Sequence, residues 1–251
     1  MLEPNAGEDI SDIATMWTIV REAHGHASTS EQAVQRAQQV LMERYSGSVY
    51  RYLLGALRDR HAAYDLLSEF SLRFLQGAFR NANPEKGRFR DFVKTALYHL
   101  ICDYQNRKKK SPRQLPDESS GAGPVAQDLH YSEQEFLESW RNDILSRAWQ
   151  ALETASQTKG QNYYRVLRIK AEFPDLSSQQ IAEKLNAELG EAFSDDGVRQ
   201  MLKRAREKFS MIILEDLAHS LTDPTRESLE QELIDLKLHS YCKKYLDQWQ
   251  P

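Results

Sequence analysis

SSQQIAEKLNAELGEAFSDDGVRQMLKRAREKF, residues 177–209, is the stretch whose reading decides the fold. Ser177 with Gln180 three residues later is a capping-box start. Ile181, Ala182 and Leu185 then form an apolar stripe, a polar turn follows over residues 186–193, and Ser194 is a good N-cap for a second helix. In that helix Val198, Met201, Leu202, Ala205 and Phe209 recur at helical spacing and predict one buried face. The opposite face carries Asp196, Gln200 and Lys203, flanked by Arg199 and Arg204. A helix that docks through one side and offers Arg, Gln and Lys on the other is built like a reader of the major groove. The plain alternative is a solvated basic face, and the turn is longer than the roughly 3–4 residues usual for a helix-turn-helix. A second, independent signal has to decide.

Outward from this pair, nothing reads as strand over a useful length. A helical pattern over 30–58 carries Val34, Ala37, Val40, Leu41 and Tyr45 on one stripe, with Gly47 as an interruption or a close contact. Residues 60–76 repeat Ala63, Leu66, Leu67, Phe70 and Phe74 at the same period, and 89–106 place Phe89, Phe92, Val93, Leu97, Leu100 and Ile101 inward. Between those two helices, Asn81, Asn83, Pro84 and Gly87 mark a loop. Residues 111–127, with three prolines and two glycines among acidic and small residues, read as a flexible linker too poor in apolar groups to fold alone. From Glu133 a further helix turns Phe136, Trp140, Ile144, Ala148 and Leu152 to a core. After residues 158–162 the next helix ends near Phe173 and Pro174, and Leu229, Leu233, Leu236, Tyr241, Tyr245 and Trp249 predict one or two amphipathic helices in the tail. The expected fold class is all-α: two helical domains joined by an acidic linker.

A chain of 251 residues with 40% hydrophobic residues supports modest cores, and no run approaches the ~20 apolar residues of a membrane span. The acidic start lacks a signal-peptide core, and Cys102 and Cys242 stand far apart in apolar helical contexts, so a reduced, cytoplasmic protein is expected. The net charge of −4 hides segregation. Residues 86–113 hold nine Lys/Arg and two Asp/Glu, whereas 114–143 hold seven Asp/Glu and one Arg. Residues 199–208 hold five Lys/Arg and one Glu, and 215–235 hold seven Asp/Glu and one Arg. Alternating blocks mark electrostatic footprints better than the sum does. No catalytic constellation or glycine-rich phosphate loop is legible. His24 and His26 have no cysteine or carboxylate at ligand spacing, so neither a metal nor a cofactor is expected.

The second signal lies in the upstream basic block. Asn83, Lys86, Arg88 and Arg90 lead into a helix whose outward face carries Lys94, Tyr98 and His99 and whose end carries Asn106 and Arg107. Cations interleaved with planar groups suit a single strand, the cations holding phosphates while the rings stack on bases; a solvated helix end beside a linker is the bland alternative.

At this point a resemblance emerges. The helix Tyr64-Asp65-Leu66-Leu67-Ser68-Glu69-Phe70, a loop closing on Gly87-Arg88-Phe89-Arg90-Asp91-Phe92, and a helix ending in Asp103-Tyr104-Gln105-Asn106-Arg107 closely resemble region two of extracytoplasmic-function (ECF) sigma factors. The helix pair of 177–209 resembles region four of the same family, and Met16-Trp17-Thr18-Ile19-Val20 with the tail around Glu230–Leu233 looks like a longer subgroup with terminal extensions. The resemblance implies an N-terminal extension (1–30), a region-two domain (31–110), a linker (111–131), a region-four domain (132–222) and a helical tail (223–251).

It further implies a non-enzymatic initiation subunit whose partners are core RNA polymerase and promoter DNA, with room for an anti-sigma factor or other regulator. Asp65, Ser68, Glu69 and Arg73 match the polymerase-docking surface. Asn83, Lys86, Arg88, Arg90, Lys94, Tyr98, His99, Asn106 and Arg107 match the surface for the unpaired minus-ten strand. Arg199, Gln200, Lys203 and Arg204 match the reader of the minus-thirty-five duplex, and Asp117, Glu118 and Asp128 match a linker running through the polymerase's positive channels. Tyr64 and Ser68 depart from the acidic residue and the Gln common in the family. Read from the residues alone, a helix-turn-helix repressor or activator acting without polymerase stays open beside this reading.

Overall fold

The structure, a computed structural model, describes residues 19–20, 23, 30–79, 88–110, 126–221 and 223–249; the side chains of 109–110 and 126–132 are outside that set. Met16, Trp17, His24, His26, Asn83, Lys86, Asp117 and Glu118 therefore lie outside the described residues, as do residues 111–125 of the expected linker and the side chain of Asp128. The described chain is all-α, with no strand among the described residues. The helices, numbered from residue 30 onward, are α1 (Glu31–Leu57), α2 (Arg60–Leu75), α3 (Phe89–Lys110), α4 (Ala126–Thr158), α5 (Tyr163–Glu172), α6 (Ser178–Leu189), α7 (Asp195–Ala218), α8 (Arg226–Asp235) and α9 (His239–Leu246). The chain divides into two compact units, Met1–Ser139 with Ala218–Pro224 and Trp140–Leu217 with Thr225–Pro251, so α4 contributes to both.

In the first unit, Ser30 caps α1 by accepting from the Ala33 backbone N–H at 3.3 Å. The helix runs unbroken through Gly47, so that glycine interrupts nothing. It stops at Arg58, in the left-handed region at φ 52°, and Asp59 at once caps α2 by accepting from the N–H groups of His61 and Ala62. This short connection makes α1 and α2 an antiparallel hairpin. Leu41, Val49 and Leu53 of α1, Leu66 and Phe70 of α2, and Leu97 and Leu100 of α3 are all buried and make up its core. Each such side chain, fully buried, contributes about 1.5–3 kcal/mol. Val40, expected on the inward stripe, is instead 39% exposed. The first part of α4 belongs to this unit, and Phe136 packs edge-on against Tyr52 with ring centroids 5.2 Å apart.

The second unit is built on the rest of α4, where Trp140, Ile144, Ala148 and Leu152 fall four apart and are buried. The start of α5 is held by the Tyr164 N–H donating to Ser156 Oγ at 3.1 Å. Lys170 Nζ then donates to the carbonyls of Pro174 (2.6 Å) and Leu176 (2.7 Å), fixing the turn into α6. Arg147 grips Asp216 through two nitrogens at 3.2 and 2.8 Å, joining α4 to α7. The tail forms two helices, α8 and α9, and both pack inward: Leu229, Leu233, Leu236, Tyr245 and Leu246 are buried. Tyr241 of α9 meets Phe209 of α7 edge-on at 5.9 Å, and Phe209 also lies 4.5 Å from Trp149 of α4. Burial pushes the Cys242 thiol up to about 12, so it sits in this unit as an inert apolar group. No helix among the described residues is long and apolar enough to cross a membrane.

Candidate nucleic-acid interface

The helix pair in the second unit forms as its sequence dictates, with one difference. Ser177 accepts from the Gln180 N–H at 3.3 Å while Gln180 Oε1 accepts from the Ser177 N–H at 2.9 Å, which completes the capping box. The helix α6 does not stop at Asn186 but continues to Leu189, and Gly190 closes it in the left-handed region at φ 68°. The connection to α7 is therefore Gly190–Ser194, shorter than the turn expected over 186–193. Asn186 braces it: its Oδ1 accepts from the Phe193 N–H at 2.6 Å and its Nδ2 donates to the Phe193 carbonyl at 3.4 Å. Ser194 Oγ accepts from the Gly197 N–H at 3.1 Å and starts α7.

On α7, Val198, Leu202, Ala205 and Phe209 are buried, Met201 is half-buried, and Arg199, Gln200, Lys203 and Arg204 are exposed. The four are not equivalent. Arg199 is held by two carboxylates of its own first turns, Asp195 and, at 3.0 Å, Asp196. No ion pair among the described residues engages Lys203 or Arg204.

In the first unit the structure regroups the expected surfaces. Asp65 and Ser68 are exposed on α2, beside Tyr64, whose ring packs on Tyr50 at 4.6 Å. Glu69 and Arg73 turn instead toward α3. Arg73 Nη2 donates to Glu69 (2.5 Å) and to Asp103 (3.4 Å), and Arg107 Nη2 donates to the other Glu69 oxygen at 2.8 Å. Two residues expected to dock polymerase and one expected to touch DNA thus form one ion network that ties α2 to α3. Burial of the Glu69 carboxyl pushes its pKa up, but the hydrogen bonds from Arg107 and Arg73 outweigh that and hold it below the usual value.

Arg90, expected on the strand-binding surface, is buried instead. It is 3% exposed, because positions 90, 93, 97 and 101 share the inward face of α3, and its Nε lies 3.9 Å from Asp91. Its guanidinium does not reach the surface expected to meet a strand. Arg88 is half-buried just ahead of α3. Lys94 is half-buried and its Nζ donates to Glu133 of α4 at 2.7 Å. Tyr98 and His99 are exposed neighbours with ring centroids 5.8 Å apart. Asn106 and Arg107 are exposed at the end of α3.

Between α2 and α3 lies a cavity of about 330 Å³ that sequence reasoning missed. Phe70, Phe79 and Phe92 line it, with Arg73, Thr95 and His99 as its polar side chains. Phe79 meets Phe92 edge-on at 5.3 Å and Phe70 at 5.6 Å. The size is at the lower end of the ~300–1,000 Å³ of small-molecule sites, and the lining offers ring faces with few hydrogen-bonding groups. Phe92 reads as ordinary core in the helical period, and Phe79 stands in a turn; only folding puts them on one wall. Asp103, Asn106 and Arg107 continue the surface beside it, again with Arg73. No cluster of His, Cys, Asp or Glu able to hold a metal occurs among the described residues. Compared with protein-family models, with curated proteins and with solved structures, the chain matches none.

Proposed function

We propose that this chain is a DNA-binding initiation subunit of bacterial RNA polymerase of the ECF sigma type. The observation that carries the reading is the division of α7: a buried stripe from Val198 to Phe209 backs an exposed Gln200, Lys203 and Arg204, and the turn Gly190–Ser194, braced by Asn186, leads from α6 into that helix. Such a helix presents long donors outward while its own core holds it still, which is what reading base edges in duplex DNA requires. Gln suits adenine and Arg or Lys suits guanine. The ordered pair of motifs in the sequence extends the reading from duplex binding to promoter opening.

In the first unit, the aromatic cavity between α2 and α3 is the place for an unstacked base, with Tyr98 and His99 as a stacking surface on α3. The two-domain organisation with its acidic linker belongs to this proposal. So do core polymerase, promoter DNA and a regulator such as an anti-sigma factor as partners, and a cytoplasmic site of action. Polymerase docking falls to Asp65 and Ser68, since Glu69 and Arg73 are engaged with α3.

The test is run-off transcription with purified core polymerase and genomic fragments, alongside co-purification with core. The expected result is promoter-dependent transcripts that require the chain, and loss of co-purification when Asp65 and Ser68 are both changed to Lys with helicity unchanged. Tight binding of a palindromic duplex without polymerase, and no transcription with it, would establish a repressor or activator instead.

A further inference from the structure

Lys94 stands on the exposed side of α3 one turn before Tyr98, but its ammonium is already occupied. Glu133 Oε1 accepts from Lys94 Nζ at 2.7 Å. The carboxylate is not delivered by a loose chain. It stands in the part of α4 that packs into the first unit, and three further contacts fix that part in place. Phe136 is fully buried against Tyr52. Arg51 Nε donates to Ser139 Oγ at 3.0 Å, and Ser139 Oγ in turn donates to the Ser48 carbonyl at 3.3 Å. A helix held at these points keeps Glu133 at high effective concentration over Lys94.

We propose that Glu133 is an internal competitor for nucleic-acid phosphate: it holds Lys94 in the chain alone, and a single strand engages α3 fully only by displacing it. This inference rests on the single-strand role given to α3 above. Carboxylate and phosphodiester oxygens make the same charge-assisted hydrogen bond to an ammonium, so they exclude one another at one Lys. The Glu133 side chain is 49% exposed and that of Lys94 30% exposed. The pair is therefore weak enough to open by rotation of Glu133, with Phe136 and Ser139 staying in place. The competition sets strand affinity without unfolding anything.

The experiment is fluorescence anisotropy with a short fluorescein-labelled single-stranded DNA and the full chain. The variants are wild type, E133Q, K94A, the double variant K94A/E133Q, and E138Q as a control with the same charge change one turn further along α4. Helicity is checked by circular dichroism. Release of a partly exposed pair predicts that E133Q tightens binding roughly two- to five-fold, that E138Q does so less, and that E133Q has no effect once Lys94 is Ala. Equal tightening by E133Q and E138Q, or tightening that persists in the K94A background, overturns the inference in favour of a general charge effect. If K94A weakens binding while E133Q matches wild type, the inference alone fails. If neither wild type nor E133Q binds the strand, the strand-binding reading of α3 has failed and the inference falls with it.

Discussion

Lys203 and Arg204 should carry the salt dependence of duplex binding, and Arg199 should carry little of it. All three are exposed on α7, so a count of cations treats them alike. The ion pairs separate them. Arg199 is flanked by Asp195 and Asp196, so its turn brings one positive and two negative charges to the DNA. Each phosphate neutralised by a protein cation contributes a slope of about −0.9 to log K against log salt. Over a fourfold rise in salt that is a loss of about 3.5-fold per contact, or about 12-fold for two. The double variant K203A/R204A should therefore weaken binding at low salt and flatten the slope by about 1.8. R199A should leave the slope nearly unchanged, because Asp195 and Asp196 already balance the Arg199 charge. The assay is anisotropy of a labelled upstream duplex, with the chain bound to core polymerase, over 50–200 mM salt, the range over which such slopes are drawn. An unchanged slope in K203A/R204A, or a slope that R199A flattens as much as either Lys203→Ala or Arg204→Ala, would refute this division of the cations on α7.

Other expectations follow from packing and charge. Phe209→Ala removes a side chain that is 3% exposed and that joins Trp149 to Tyr241, so unfolding by urea should show a loss of about 3–5 kcal/mol, with an altered Trp fluorescence in the folded state. The ion network at Glu69 should make the first unit acid-sensitive. Because its carboxyl pKa is depressed on folding, the contribution is complete above the ordinary Glu value of about 4.3 and is lost as pH falls through the lower folded value. The stability gap between wild type and E69Q should then be constant near neutral pH and close on acidification; a gap that widens with acid would reverse the sign argued here. Gly55→Ala should be tolerated or stabilising by up to about 1 kcal/mol, since Ala is the better helix former and the atom it meets is the mobile end of Glu135; a thermal melt shifted sharply downward would show that Glu135 has nowhere to move.

The sequence by itself determined the elements. Caps and period are local: Ser177 with Gln180, Ser194 before α7, and the three-to-four spacing of Val198, Leu202, Ala205 and Phe209 each act within a turn or two of chain, so they are legible without any knowledge of what the helix packs on. The same locality made the outward side of α7 readable and gave two tail helices. It failed where the deciding partner stands far along the chain. Asn186 looked like the start of a turn because its role, bridging to the Phe193 backbone seven residues on, belongs to the closed structure.

Nor does helical spacing say which partner an acid such as Glu69 will meet. Arg107, thirty-eight residues away, decides that, by bringing a second guanidinium to the same carboxylate. Arg90 sat in a basic run and read as exposed, but the inward face of α3 buries it. Phe70, Phe79 and Phe92 read as three unrelated apolar residues until the packing of α2 against α3 lines a cavity with them. Most of all, Lys94 and Glu133 stand thirty-nine residues apart, with the expected linker between them, and only the docking of Phe136 on Tyr52 brings cation and carboxylate to 2.7 Å. Secondary structure is set by interactions within about one helical turn, whereas the charge state of a surface is set by whatever the fold places beside it.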